Sequence, residues 1–130
     1  MTALDTNVLI RVLTNDDAEQ SRTAAAFIRR QERVYILKTV ALEIEWVLRS
    51  AYGFDRETIA LGIRGLIGTT NFQFEDERTV TQALEWYEQG MDFADAMHLA
   101  SVHGETEFAT FDISLRRTAH RLGITRVISV

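Results

Sequence analysis

Apolar and polar positions along the chain sort into compact apolar runs of strand length and longer stretches with apolar residues at helical spacing. Ala3-Leu4 reads as a short buried strand that ends in a polar turn, Asp5-Thr6-Asn7, and Val8 to Leu13 follows at helix-compatible spacing. Asp17 with Gln20 makes an Asp-based capping box, because a short acidic side chain accepts the free N–H groups of a first turn. The Ala-rich run behind it predicts a helix to about Arg30, and Val34 to Leu37 predicts a second buried strand. Thr39 is the expected cap of a helix that continues to about Tyr52, where Gly53 stops it. On that helix Val40, Ile44, Val47, Leu48 and Ala51 share one side, which is expected to be buried. Glu45 and Arg49 lie opposite as an i, i+4 pair in solvent, whereas Glu43 projects at the edge of the apolar side beside Val47.

Asp55 opens a further helix to about Ile67, weakened by Gly62 and Gly65 at roughly 1 kcal/mol each relative to alanine. Closely spaced glycines also let helices approach, so this helix is a candidate for an interface. Asn71 to Phe74 alternates as a short edge strand, and Asp76 is the expected cap of a helix that carries Val80, Ala83, Leu84 and Tyr87 and ends near Gly90. The helix MDFADAMHLA (Met91 to Ala100) comes next, then the strand Phe108 to Phe111, Asp112, an Arg-rich helix from about Ser114 to Leu122, Gly123, and a last strand around Val127-Ile128. Short strands alternating with helices predict an α/β fold: a parallel sheet with helices on both faces, as a three-layer α/β/α sandwich. Ligands in such folds bind beyond the carboxyl ends of the strands, and Asp5 and Asp112 each directly follow one.

At 130 residues the chain is expected to be a single domain, residues 1–130, with a substantial core. The absence of cysteine excludes disulfides, thiolate metal sites and cysteine nucleophiles. No basic-then-apolar leader and no apolar run of membrane-spanning length is visible, so a cytoplasmic location and no membrane association are expected. A net charge of −5 argues against a nucleic-acid binder until its distribution is considered. From Glu75 to Asp112 there are ten acidic residues and one basic residue, Arg78, whereas Ile113 to Val130 carries four arginines and no acid. An acidic pocket beside a basic rim suits a polyanion whose cleavage needs metal; two solvated helix faces of opposite sign account for the charge equally well.

Four carboxylates stand out. Asp95 follows Asp92, which already supplies the helix cap, and has no Lys or Arg within a helical step. Glu43 edges an apolar face with no cation at i±3 or i±4. Asp5 at a strand end either shapes a turn or binds, and Asp112 either caps the next helix or binds. Gathered in one pocket, such groups would repel by roughly 4 kcal/mol per pair about 4 Å apart at an effective dielectric near 20, unless some protonate or a cation enters. An all-oxygen donor set selects hard ions, so Mg²⁺ or Mn²⁺ is the expected cofactor. His98, His103 and His120 read as exposed polar residues rather than ligands. Arg116 and Arg117 are candidates for holding flanking phosphates, with a solvated face as the alternative. A phosphoacceptor receiver domain would need a lysine at a late strand end, and the single lysine, Lys38, is in the wrong place.

These residues carry a resemblance. ALDTNVLIRVL, ALEIEWVL, DFADAMHLA and FATFD are similar, in order, to the four motifs of the PIN-domain ribonucleases, and among them to the toxin half of VapBC toxin–antitoxin pairs. The match runs from Ala3 to Asp112. Carried over position by position, it places the family's metal-binding acids on Asp5, Glu43, Asp95 and Asp112, and its polar first-motif positions on Thr6 and Asn7, which would orient water or a carboxylate. Ser114 stands where many relatives have a further acid, which takes a carboxylate away from that side. The resemblance implies a five-stranded parallel sheet of order 3-2-1-4-5. It also implies a homodimer, a cognate VapB-type antitoxin and a metal-dependent endoribonuclease acting on RNA. The alternative expectation is a non-catalytic module of the same fold that only binds RNA or antitoxin.

Overall fold

Val34 and Ile36 have no solvent-exposed surface (0% each), and the strand that carries them is the middle one of three in the computed structural model, which describes residues 1–130. The strands are β1 (Thr2–Ala3), β2 (Val34–Ile36) and β3 (Phe72–Phe74), in the order β1-β2-β3 and all parallel. The register pairs Thr2 with Val34 and Val34 with Phe72, so β3 lies at an edge of this ladder, as its alternating sequence predicts. Four helices, α1 (Thr6–Thr14), α2 (Ala18–Arg30), α3 (Lys38–Ser50) and α4 (Arg56–Ile67), complete a compact unit spanning Met1–Glu77. Within it α1 packs on α2 and α3, and α3 packs on α4.

Most helix starts in this unit follow local chemistry. Asp17 accepts the Gln20 N–H at 3.0 Å and Asp55 accepts the Thr58 N–H at 2.8 Å, each satisfying a donor with no partner inside its helix. Asp5 does the same for Thr6 at 2.8 Å, so the segment read as a polar turn is the capped start of α1. Helix α3 is the exception. Thr39 does not cap it; the N-cap position is Leu37, which offers no side-chain bond, and Glu75 Oε1 instead accepts the Lys38 N–H at 2.8 Å from 37 residues away. Lys38 Nζ in turn lies 3.5 Å from Asp76, which holds a left-handed backbone (φ 50°).

The faces of α3 also differ from the prediction. Glu45 is buried, with 3% of its surface exposed, and Glu43 is exposed. The buried stripe is Val40, Ala41, Ile44, Glu45 and Leu48, rotated toward Ala41 and away from Val47 and Ala51. Glu45 accepts a 2.8 Å hydrogen bond there from Arg49 Nε, so the pair expected in solvent has one desolvated member. The glycines of α4 likewise mark no tight approach within the chain: a Cβ on Gly62 would meet Leu13 at an ordinary 3.6 Å, and one on Gly65 would meet nothing within 4 Å.

A second compact unit spans Arg78–Val130. It contains most of α5 (Glu77–Glu88), then α6 (Phe93–Ala100), β4 (Phe108–Thr110), α7 (Ile113–Arg121) and β5 (Val127–Ser129). β4 and β5 pair in parallel, Phe108 with Val127, and α7 packs against both. Tyr87 and Phe93, both buried, meet edge-to-face at 5.1 Å and fix α5 against α6, a contact worth about 0.5–1.5 kcal/mol beyond its area. β4 ends at Thr110, so Phe111 lies outside the ladder although the apolar run includes it. The strands thus make two parallel ladders, one per unit, in a mixed α/β fold.

Candidate functional site

In the first unit the chain leaves β1, and Leu4 continues the ladder by donating its N–H to the Tyr35 carbonyl at 3.3 Å. That places Asp5 at the carboxyl end of the strand, where it is exposed. One carboxylate oxygen, Oδ1, caps α1 through Thr6 N–H; the other has no hydrogen-bond partner. Thr6 is buried (3% exposed), and its hydroxyl donates to Glu43 Oε1 on α3. The Thr6 hydroxyl therefore ties the residue after Asp5 to Glu43, which meets no Lys or Arg. Glu43 itself does not edge the apolar face as its spacing predicts: it is exposed, and Glu45 is the buried glutamate of α3. Asn7 is exposed in the first turn of α1 and lines an open groove of about 800 Å³ along α1 and α2, with Val8, Arg11, Gln20 and Phe27.

The second unit brings together the other two acids. Asp92 caps α6 by accepting the Asp95 N–H at 3.1 Å, as the sequence predicts. Asp95 sits half-buried in the first turn of the helix and makes no side-chain hydrogen bond or ion pair. Burial pushes its carboxyl above the ordinary carboxylate range, and the negative charges of Asp92 and Asp112 push it the same way, opposed only by His98. Asp112 caps α7 by accepting the Leu115 N–H at 3.1 Å, and its own N–H donates to Thr110 Oγ1 at 2.9 Å. Asp112 is exposed and, like Asp5, keeps one carboxylate oxygen free. Both aspartates thus fill the structural roles that compete with ligation, at the cost of one oxygen each.

Arg116 and Arg117 lie on α7 after Asp112. Arg116 is half-buried, with a buried Nε that has no hydrogen-bond partner, and Arg117 is exposed. Neither forms an ion pair, so both guanidinium groups are uncommitted. His98 is exposed and stacked beside Phe108, with ring centroids 6.5 Å apart.

A family model for the PIN domain matches residues 2–121, a span that takes in all four acids. The chain belongs to the PIN-domain family. No curated protein and no solved structure matches it. A PIN domain is a nuclease-type fold, and PIN domains are commonly nucleases, often metal-dependent ribonucleases. The donor chemistry of this PIN domain fits a hard divalent ion: each unit presents carboxylates with free oxygens and no basic partner, and Asp95 carries an electrostatic penalty that a cation would relieve. In neither unit do three Asp, Glu or His side chains stand close enough to hold a metal ion by themselves. Mg²⁺ does not demand such a cage, since it keeps several waters and is commonly bound through one or two carboxylates. No helix of this PIN domain is long and apolar enough to cross a membrane.

Two features of these sites were not visible in the sequence. Asp92 acts as a charge on Asp95 as well as a cap, and Phe111, assigned to the strand, is the exposed neighbour of Asp112. Helical spacing held the first clue, Asp92 and Asp95 being three apart. The second has no local signal.

Proposed function

We propose that this PIN domain is a metal-dependent endoribonuclease, the toxin of a type II toxin–antitoxin pair of the VapBC kind. In this reading Asp5, Glu43, Asp95 and Asp112 hold Mg²⁺ or Mn²⁺, and the five strands form one parallel sheet of order 3-2-1-4-5. The chain is a cytoplasmic homodimer kept silent by a VapB-type antitoxin. The observation that supports it most is Asp95, a half-buried carboxylate raised by burial and by two neighbouring aspartates, with no Lys or Arg to compensate. Perturbed acids of this kind cluster at functional sites.

When bound, the ion supplies neutralisation of a phosphate oxygen and a more acidic water for in-line attack. The chain's own residues do the positioning. Thr6 holds the Glu43 carboxylate, the helix-capping bonds of Asp5 and Asp112 fix each free oxygen relative to a strand end, and Asn7, exposed beside Thr6, is a polar contact for substrate. Arg116 and Arg117 contact the phosphates that flank the scissile bond, a task for which an uncommitted guanidinium is suited.

Calorimetric titration of Mn²⁺ into the purified protein, run beside cleavage of a mixed cellular RNA, tests the proposal. The wild type is expected to bind Mn²⁺ and cut RNA internally, and Asp5→Asn and Asp95→Asn are each expected to lose both while remaining folded. Cutting at the wild-type rate by either variant defeats the assignment. Absence of Mn²⁺ binding by the wild type assigns the chain instead to the non-catalytic binding module.

A further inference from the structure

The segment that starts with Asp112 returns to the helix of Asp95 twice. At the end of α7, Arg121 Nη2 donates to the Gln89 carbonyl at 2.7 Å, three residues before the cap Asp92. Just before β5, Arg126 Nη2 donates to the Leu99 carbonyl at 3.1 Å, four residues after Asp95. One acceptor lies just past the end of α5 and the other in the last turn of α6, where the backbone runs out of intrahelical donors and a cation is favoured. α6 is thus gripped ahead of its first turn and in its last one.

Both grips are built into their surroundings. Gly90 holds φ 110°, and a Cβ there would stand 3.2 Å from Arg121 Nη2, so the glycine leaves room for the guanidinium against the peptide. The loop after it is tight: the Trp86 carbonyl accepts the N–H groups of Gln89 and Met91, both at 3.1 Å, and Met91 and Phe93 are buried. Arg126 is half-buried, its guanidinium carbon lies 5.9 Å from the Trp86 ring centroid, and its own carbonyl accepts the Phe108 N–H at 2.8 Å. One residue therefore joins α5, α6 and the ladder of β4 and β5.

These ties oppose a specific force. Asp92, Asp95 and Asp112 carry like charge, and the first and last both raise the Asp95 carboxyl, so the starts of α6 and α7 repel. Mg²⁺ demands oxygens at about 2.0–2.1 Å, so a divalent ion shared by Asp95 and Asp112 feels any change in their separation.

We propose that Arg121 and Arg126 are positioning residues: by holding both ends of α6 to the segment that begins with Asp112, they set the separation of Asp95 from Asp112, and with it the affinity of that pair for a divalent cation. The cation comes from the nuclease reading; the separation is measured without it.

The experiment uses the full chain, which has no cysteine of its own. Spin labels on Ser101→Cys, at the end of α6, and His120→Cys, on α7, both exposed positions, report the distance between the helices in EDTA. Mn²⁺ affinity is measured by calorimetry on unlabelled protein. Arg121→Met and Arg126→Met are each expected to lengthen and broaden the distance and to weaken Mn²⁺ binding about 10- to 100-fold, as loss of a group that orients a ligand does. Arg121→Lys is expected to restore most of both, and Arg22→Met, which removes an exposed cation from α2, to match the wild type. The sign decides. Removing a positive charge near a cation site strengthens binding by Coulomb's law alone, so tighter or unchanged Mn²⁺ binding in the two Met variants overturns the proposal. A lowered melting temperature with distance and affinity at wild-type values assigns the arginines to the fold alone and also overturns it. Should the wild type bind no Mn²⁺ while the distance lengthens in the variants, the nuclease reading falls and the clamp stands; Mn²⁺ binding and RNA cleavage by the wild type, with the distance unmoved in the variants, keep the nuclease reading and overturn the clamp.

Discussion

The Thr6 hydroxyl donates to Glu43 Oε1, joining the first turn of α1 to the middle of α3 through a side chain that is itself buried. Thr6→Val keeps the shape and removes the donor. It is expected to lower Mn²⁺ affinity and RNA cleavage by about 10- to 100-fold, the usual consequence of losing a partner that orients a ligand. The stability cost is about 1 kcal/mol. Thr6→Ser is expected to restore both, and parallel titrations of the two variants check the pair.

Asp95 makes stability depend on pH in an unusual direction. A carboxyl raised in the folded state binds its proton more tightly there than in the unfolded chain. Folding therefore loses stability as pH rises from the ordinary value of 3.8 through the raised one, and the whole penalty is present at pH 7. Asp95→Asn is expected to melt at an equal or higher temperature than the wild type at pH 7 in EDTA, with the difference vanishing below pH 3.8. Mn²⁺ at a hundred times its dissociation constant is expected to stabilise the wild type by about 2.7 kcal/mol and to leave Asp95→Asn unmoved. Melting curves over pH, with and without the ion, decide both points.

Arg49 guards a buried charge. Were Glu45 and Arg49 a solvent pair, their separation would cost only about 0.2–0.5 kcal/mol. With Glu45 at 3% exposure, Arg49→Met is expected to cost roughly 1.5–3 kcal/mol in urea unfolding. The double change Glu45→Leu with Arg49→Met is expected to recover most of that, because it removes the buried charge along with its partner.

Helix starts were legible at Asp17, Asp55 and Asp92, which all accept the N–H three residues on, whereas Asp5, which caps α1 through the next residue, was read as a turn. The start of α3 was not legible, because Glu75 reaches its first turn from 37 residues away and Thr39 offered a local substitute. Its buried face differs from the apolar pattern because Ala41 is small and weakly apolar, so that a stripe weighted toward Val47 and Ala51 turns Glu45 outward and Glu43 inward. Asp5, Glu43, Asp95 and Asp112 were recognisable as acids without cations nearby in sequence. That Thr6 would be the residue to hold Glu43, and that Asp112 would charge Asp95, depends on folding that no periodicity encodes. Phe111 was drawn into β4 by its apolar neighbours, although the ladder ends one residue before it.

The bond from the Lys38 N–H to Glu75 has a bearing on the growing chain. Until the ribosome has added residue 75, the first N–H of α3 has only water, and β2 lacks the neighbour that β3 supplies. A nascent chain that stops short of residue 75 therefore starts α3, the helix that carries Glu43, with a backbone donor that no protein group satisfies.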